Sequence, residues 1–330
     1  MQNRNYGLDI FRIMCCLGVL DYHIVGAYLN GTNVCSGGGG GQALYFLAAF
    51  CVPGFFLLSG YLLGQKSELD IGYYERKITQ IIFKLLGWVI FWTVVHFMKT
   101  EEVYDVWGNF TASVSSEGIL PVAWFLFTYC FLMIIGYLII QLKRKRRLLF
   151  HVIVIVWMCA LAMGAGRGIM ETRRQSLWLH LYIGYFGLGI ALEQWIGGGK
   201  LCWINCHRFV LLGANLFSCA VYLFHVLTAK EYLPPNAYYG KWYYTVWLIS
   251  LFWFVSTVEI KNGTIKKLIS RVSSNALVVY LAPHIPTLYV LSIVHLDNIG
   301  QAVALILVLF IGAVILAEIF RKMPLLRKIV

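Results

Sequence analysis

The chain has 330 residues, of which 60% are hydrophobic and 13% charged, with a formal net charge of +12. So apolar a composition excludes a soluble globular enzyme and a disordered chain, and points to a polytopic membrane protein. The basic balance is not accompanied by any RNA- or DNA-binding signature, so no nucleic-acid partner is expected; Lys and Arg gathered on one side of a membrane account for the charge.

Ten apolar stretches have about the length a bilayer requires. In chain order they are Leu8–Leu29, Ala43–Leu63, Ile78–Met98, Val122–Leu142, Leu148–Gly164, Leu179–Ile196, Phe209–Leu227, Trp242–Val258, Ser274–Val294 and Ile299–Phe320, the fifth, sixth and eighth being short. The first keeps internal charge and lacks a small-residue cleavage site, so it reads as a mature helix and not a signal peptide. The longest loop, residues 99–121, is too short for a core of its own. The expectation is therefore an all-α integral membrane protein of about ten transmembrane helices, a single polytopic domain over 1–330 with no separate soluble domain. With the N-terminus inside, twenty-one of the 27 Lys and Arg fall on the inner side. Both termini are thus expected in the cytoplasm of a multi-pass inner- or plasma-membrane protein.

Loops and cysteines add little chemistry. Residues 36–41 are one serine and five glycines, read as a flexible linker because no strand precedes them to make a phosphate-binding turn. The run Lys143–Arg147 reads first as a topology anchor and second as a site for anionic head groups. Cys202, Cys206 and His207 lack the further ligands that zinc requires, so no metal is expected. Most other cysteines fall in apolar segments as small core residues, and only Cys35 lies in a clear outer loop, so no disulfide framework is implied. No internal repeat is visible.

The informative feature is in the first helix. Arg12 and His23 are eleven residues apart, about three full turns, so both leave the same face about 16 Å apart along the axis. A guanidinium and an imidazole inside an apolar span are costly in lipid and mark a functional site facing protein or a water-filled cavity. Asp9, three residues before Arg12, can pair with it. Asp21, two before His23, points about 160° away and needs a partner from another helix. Elsewhere, His96 and His225 read as hydrogen-bonded packing residues. For His284, between Pro283 and Pro286, packing and a functional cavity stand level, since prolines break the helix ladder.

These residues resemble a known family, the acyltransferase-3 family of integral membrane O-acyltransferases. Leu8-Asp9-Ile10-Phe11-Arg12 resembles its opening, and Arg12 with His23 its arginine–ten residues–histidine signature. In order follow Phe55 to Leu62, similar to a Ser-Gly-aromatic stretch closing the second helix; Trp124-Phe125-Leu126, opening the fourth; and Tyr280-Leu281-Ala282-Pro283-His284, similar to a Tyr-Leu-x-His segment near the end. The departures are Gln80 and a missing proline where two spaced bases and a proline are usual, Ala123 where histidine is common, and His284 one place late.

The resemblance implies transfer of an acyl group, acetyl by default, from cytoplasmic acyl-CoA to a hydroxyl of a cell-surface polysaccharide or lipid-linked glycan in the cell envelope. It implies Arg12, Arg76 and Lys77 as the phosphate-binding cations, a pantetheine arm running beside the first helix, and His23 as general base, with Arg12 its catalytic companion. Trp124, His284 and Tyr280 are the substrate-side candidates, although helix packing also explains Trp124. Whether acyl passes through His23 stays open, as does homo-oligomerisation; membrane lipids are the remaining expected partners. Two other readings stand beside this one: a small-solute or amino-acid transporter related to the membrane domain of vancomycin-type serine racemases, and a non-enzymatic membrane subunit.

Overall fold

The computed structural model describes residues 4–31, 39–66, 70–100, 105–113, 120–163, 179–197, 208–229, 234–294, 296–324 and 326–329. All regular structure in them is helical. The helices are α1 (Tyr6–Gly31), α2 (Gly39–Ala48), α3 (Cys51–Gly64), α4 (Ile71–Thr100), α5 (Val106–Ala112), α6 (Trp124–Lys145), α7 (Arg147–Ala162), α8 (Leu179–Leu192), α9 (Arg208–Leu227), α10 (Trp242–Ser256), α11 (Gly263–Ser274), α12 (Ala276–Leu281), α13 (His284–Ile293) and α14 (Ile299–Lys322). Among the described residues six segments are long and apolar enough to cross a membrane: Tyr6–Leu29, Gly40–Gly64, Ile71–Met98, Pro121–Lys145, Arg208–Leu227 and Ile299–Lys322. The protein is thus an all-helical, multi-pass membrane protein. Two shorter apolar helices, Arg147–Leu161 and Trp242–Ser256, accompany them.

Contacts divide the chain into two units, Met1–Glu68 with Ile135–Ser273 and Leu69–Ile134 with Ser274–Val330. In the first unit α3 and α8 make the most intimate pair. A methyl group on Gly60 would collide with the Phe186 carbonyl oxygen, and one on Gly189 with the Leu57 carbonyl. Glycine is required at both points because the two backbones touch there, the usual way helices associate where lipid supplies no hydrophobic drive.

The second apolar stretch is one span bent at Ala49–Phe50. Pro53, in the first turn of α3, has no N–H for the carbonyl of Ala49, four residues earlier. The Tyr244 hydroxyl donates to that carbonyl instead, at 3.0 Å, and the Tyr222 hydroxyl donates to Phe46 O at 2.9 Å. Buried tyrosines of α9 and α10 thereby satisfy the backbone groups the bend exposes, as an apolar surround demands. A buried relay of Asn215, Ser218 and Ser250 joins α9 to α10 at 3.0–3.3 Å.

Lys143 opens the basic run at the end of α6. Its Nζ turns inward and donates to Glu193 at 3.0 Å and to the Gly64 carbonyl at 3.3 Å. Glu193 opens a single π-helical turn, Glu193–Gly197, at the end of α8. The next residue, Gln194, bonds His151 at 2.7 Å. A lysine at the C-terminal end of α3 also suits the negative end of that helix dipole.

In the second unit the ninth apolar stretch is two helices, α12 and α13, parted at Ala282–Pro283. Pro283 ends one ladder and its carbonyl starts the next, accepting from the Thr287 N–H at 2.8 Å and hydroxyl at 2.7 Å. Trp88 in α4 donates to Ile329 O at 3.1 Å and stacks on Phe320 of α14. Helix α4 starts two turns before the expected Ile78, because the carboxylate of Asp70 accepts from the Tyr73 N–H at 2.9 Å. Among the described residues two short helices lie outside the ten stretches: α5, capped by Asp105, and α11.

Candidate active site

The first unit carries a cationic cluster at the start of α1. Asn5 caps the helix, its Oδ1 accepting from Leu8 N at 3.2 Å, and its amide donates to Ser256 O at the end of α10 at 3.1 Å. Gly7 sits against the Val255 and Ser256 carbonyls, where no side chain fits. This close approach brings α11 beside α1.

Asp9 is the hub. Its buried carboxylate accepts from Arg4 Nε at 2.5 Å, from Arg4 Nη2 at 3.2 Å and from the Ser273 hydroxyl at 2.6 Å. Arg12 Nη1 donates to Ser273 Oγ at 3.0 Å and lies 3.6 Å from Asp9 Oδ1. The direct pairing of Asp9 with Arg12 is therefore long, and a serine hydroxyl bridges it. One carboxylate between two guanidiniums leaves a unit of positive charge uncompensated. The hydrogen bond from Arg4 to Asp9 also raises the pKa of that guanidinium. Arg12 remains 28% exposed, within reach of an anionic ligand.

His23 lies three turns further along α1 and is exposed. Its ring packs edge-on against Tyr22 at 5.6 Å, and Tyr22 lies against Tyr45 at 5.1 Å. Between Arg12 and His23 on the same stripe stand Cys16 and Val19, at 2% and 6% exposure. The stripe is therefore closed between cation and imidazole, and a thin chain joining them has to pass beside these two side chains. Asp21 is 8% exposed, and its Oδ1 has no hydrogen-bond partner among the described residues. The partner expected from another helix is not seen for that oxygen.

The second unit holds the other candidates. Arg76 and Lys77 are exposed in the second turn of α4. Lys84, one heptad after Lys77 and so on the same face, is half-buried within electrostatic reach of Lys77 and of Arg321 in α14. Arg321 donates to Ser274 Oγ at 2.9 Å and lies 3.7 Å from Glu318, which accepts from Asn275 at 3.0 Å. Three cations thus gather around one face of α4. Tyr280 is buried; its hydroxyl donates to Val122 O at 2.7 Å and its ring lies 5.2 Å from Phe125. It holds the short 3-10 turn Pro121–Ala123 that launches α6 and sets Trp124 at its first position, half-buried. His284 begins α13, directly after the break; its side chain lies outside the described residues. His225 is exposed and stacks on Tyr243 at 4.4 Å, and His96 is half-buried in α4.

Sequence reasoning missed Ser273, Lys84 and Arg321. Ser273 has no signal of its own, being one of three serines closing an amphipathic helix. Lys84 had one, a lysine deep in an apolar stretch seven residues after Lys77. Cys202, Cys206 and His207 lie outside the described residues, as does part of the glycine run; Gly39 to Gly41 open α2. Among the described residues no group of three or more His, Cys, Asp or Glu is placed to hold a metal ion.

A multi-pass helical protein with a partly neutralised arginine cluster at one end of its first span and an exposed histidine three turns along it carries ionisable groups where a membrane span tolerates them only for a purpose. The comparison with protein families makes this specific. The model of the acyltransferase-3 family, described as an acyltransferase domain, matches residues 5–318, and the chain belongs to that family. It is an acyltransferase. No curated protein and no solved structure matches it.

Proposed function

We propose that the protein moves an acyl group, acetyl by default, from acyl-CoA to a hydroxyl of a cell-surface or lipid-linked glycan, with His23 as general base. The observation that carries this reading is the geometry of α1. Arg12 is held in place through Ser273 and Asp9, and His23 leaves the same face three turns away.

Guanidinium and ammonium groups suit the phosphates of CoA, Arg in a fork and Lys as a point charge. Arg12 offers this in the first unit; Arg76, Lys77, Lys84 and Arg321 offer it in the second. His23 takes the proton of the acceptor hydroxyl as its oxygen attacks the thioester carbonyl; the C–S bond breaks and CoA leaves as thiolate, to be protonated. Trp124 provides an aromatic face for a sugar ring. Tyr280 acts indirectly, by placing Trp124, and His284 stands at the break where backbone groups leave the helical ladder. The family match spans both units, which supports one acyltransferase domain built from two parts. The lysine and arginine distribution supports an inner- or plasma-membrane protein with ten spans and both termini in the cytoplasm.

The test is transfer of radiolabel from acyl-CoA in membranes carrying wild type, Arg12→Ala or His23→Ala. His23→Ala should abolish transfer to glycan while CoA still binds, and Arg12→Ala should weaken CoA binding. Normal labelling by both variants would overturn the assignment. Mass spectrometry of envelope glycan from a deletion strain identifies the acceptor.

A further inference from the structure

Helix α11 has an apolar face and a buried face that do not coincide. At about 100° per residue, Ile265, Leu268, Ile269 and Val272 form one stripe. The side packed on the protein is a different one. Ser273 is buried against Asp9 and Arg12, the Ser270 carbonyl accepts from Arg4 at 3.4 Å, and Lys266 lies 5.5 Å from the centre of the Tyr6 ring. That polar side is rotated by roughly 110° from the stripe, by the same angular count. Ile265 and Leu268 are left 46% and 61% exposed. Lys267 and Arg271 are exposed on the remaining side, Arg271 one turn after Leu268. The helix Gly263–Ser274 carries no acidic residue.

A helix resting on a globular core buries its apolar stripe. This one is tied to the protein by its polar edge and turns half the stripe outward. Its place in the chain says what covers it. It follows the apolar helix α10 after six residues and packs on the first turns of α1, the start of a membrane span. It therefore lies where the spans leave the bilayer. A short helix with an uncovered apolar edge, whose charged residues are all cations, complements the boundary between acyl chains and anionic head groups.

We propose that α11 is an interfacial helix seated on an anionic leaflet, with Ile265 and Leu268 among the acyl chains and Lys267 and Arg271 on lipid phosphates. The seat fixes the helix that supplies Ser273 to the Arg4–Asp9–Arg12 cluster.

The test is amide hydrogen exchange of the full chain in nanodiscs of phosphatidylcholine alone or with added phosphatidylglycerol. Two cations at about 1 kcal/mol each should slow exchange over Gly263–Ser274 by roughly thirtyfold when the anionic lipid is present. Exchange in α3 serves as the control for the fold. Lys267→Gln with Arg271→Gln should remove the lipid difference, and Leu268→Ser should speed exchange of α11 in both discs. Equal exchange in the two discs overturns the proposal, as does a lipid difference that survives the double substitution. Because the readout is exchange and not turnover, it stands or falls separately from the acyl-transfer reading.

Discussion

Ser273→Ala isolates the device that holds Arg12. The substitution deletes one buried hydroxyl and leaves the helix intact. Two bonds go, the 3.0 Å bond from Arg12 and the 2.6 Å bond to Asp9. Hydrogen bonds to charged groups contribute about 1.5–3 kcal/mol each. Asp9 keeps both bonds from Arg4, and Arg12 is open enough to recover water, so the low end of one bond is the fair figure. About 1.5 kcal/mol of lost positioning corresponds to roughly a tenfold rise in KM for the acyl donor. The hydroxyl is far from His23, so kcat at saturating donor should hold. Initial rates against acyl-CoA concentration in nanodiscs give both constants, and Ser273→Thr should restore KM. A fall in kcat with KM unchanged, or no effect beside a large effect of Arg12→Ala, would refute the idea that Arg12 works from a fixed position.

Three further outcomes follow from the packing. Gly60→Ala drives a methyl group into the Phe186 carbonyl, so it should cost at least about 3 kcal/mol, the upper end of ordinary overpacking, because backbone cannot yield as a side chain does; thermal melting of the purified protein would show the loss. Lys143→Met leaves Glu193 mostly buried without its cation. With both groups partly open, the loss should be about 2–3 kcal/mol, below the usual range for a fully buried pair, and Lys143→Met with Glu193→Leu should recover most of it. Tyr280→Phe removes the hydroxyl from Val122 O and should lower stability by about 1–3 kcal/mol with little change in donor KM; a tenfold change in donor KM at normal stability would make Tyr280 a donor-binding residue.

Much of the candidate site was legible because it lies within single helices. Arg12 and His23 share a face by helical arithmetic alone, and their cost in lipid marks them without any fold. Lys77 was read from its place before an apolar span, and Lys84, one heptad on, carried the same kind of signal but was missed. Ser273 was not, because 261 residues separate it from Arg12 and a serine near a helix end is ordinary. Lys143 shows the opposite failure: in sequence it belongs to a basic run, and only the position of Glu193 turns it inward.

The bend at Ala49–Phe50 divides the two kinds of information. The apolar run announces a span, and Pro53 takes one N–H out of its ladder, since a missing N–H is a property of the residue itself; from sequence alone the stretch reads simply as one span. Which donors replace it is decided by Tyr222 and Tyr244, brought from two later helices. The same holds for α1. Sequence alone places a cation and an imidazole along one face of an apolar helix, because periodicity is local. Tertiary packing alone decides that Ser273 bridges Asp9 to the cation and that Cys16 and Val19 close the face between, because burial and hydrogen-bond partners depend on which distant segments meet.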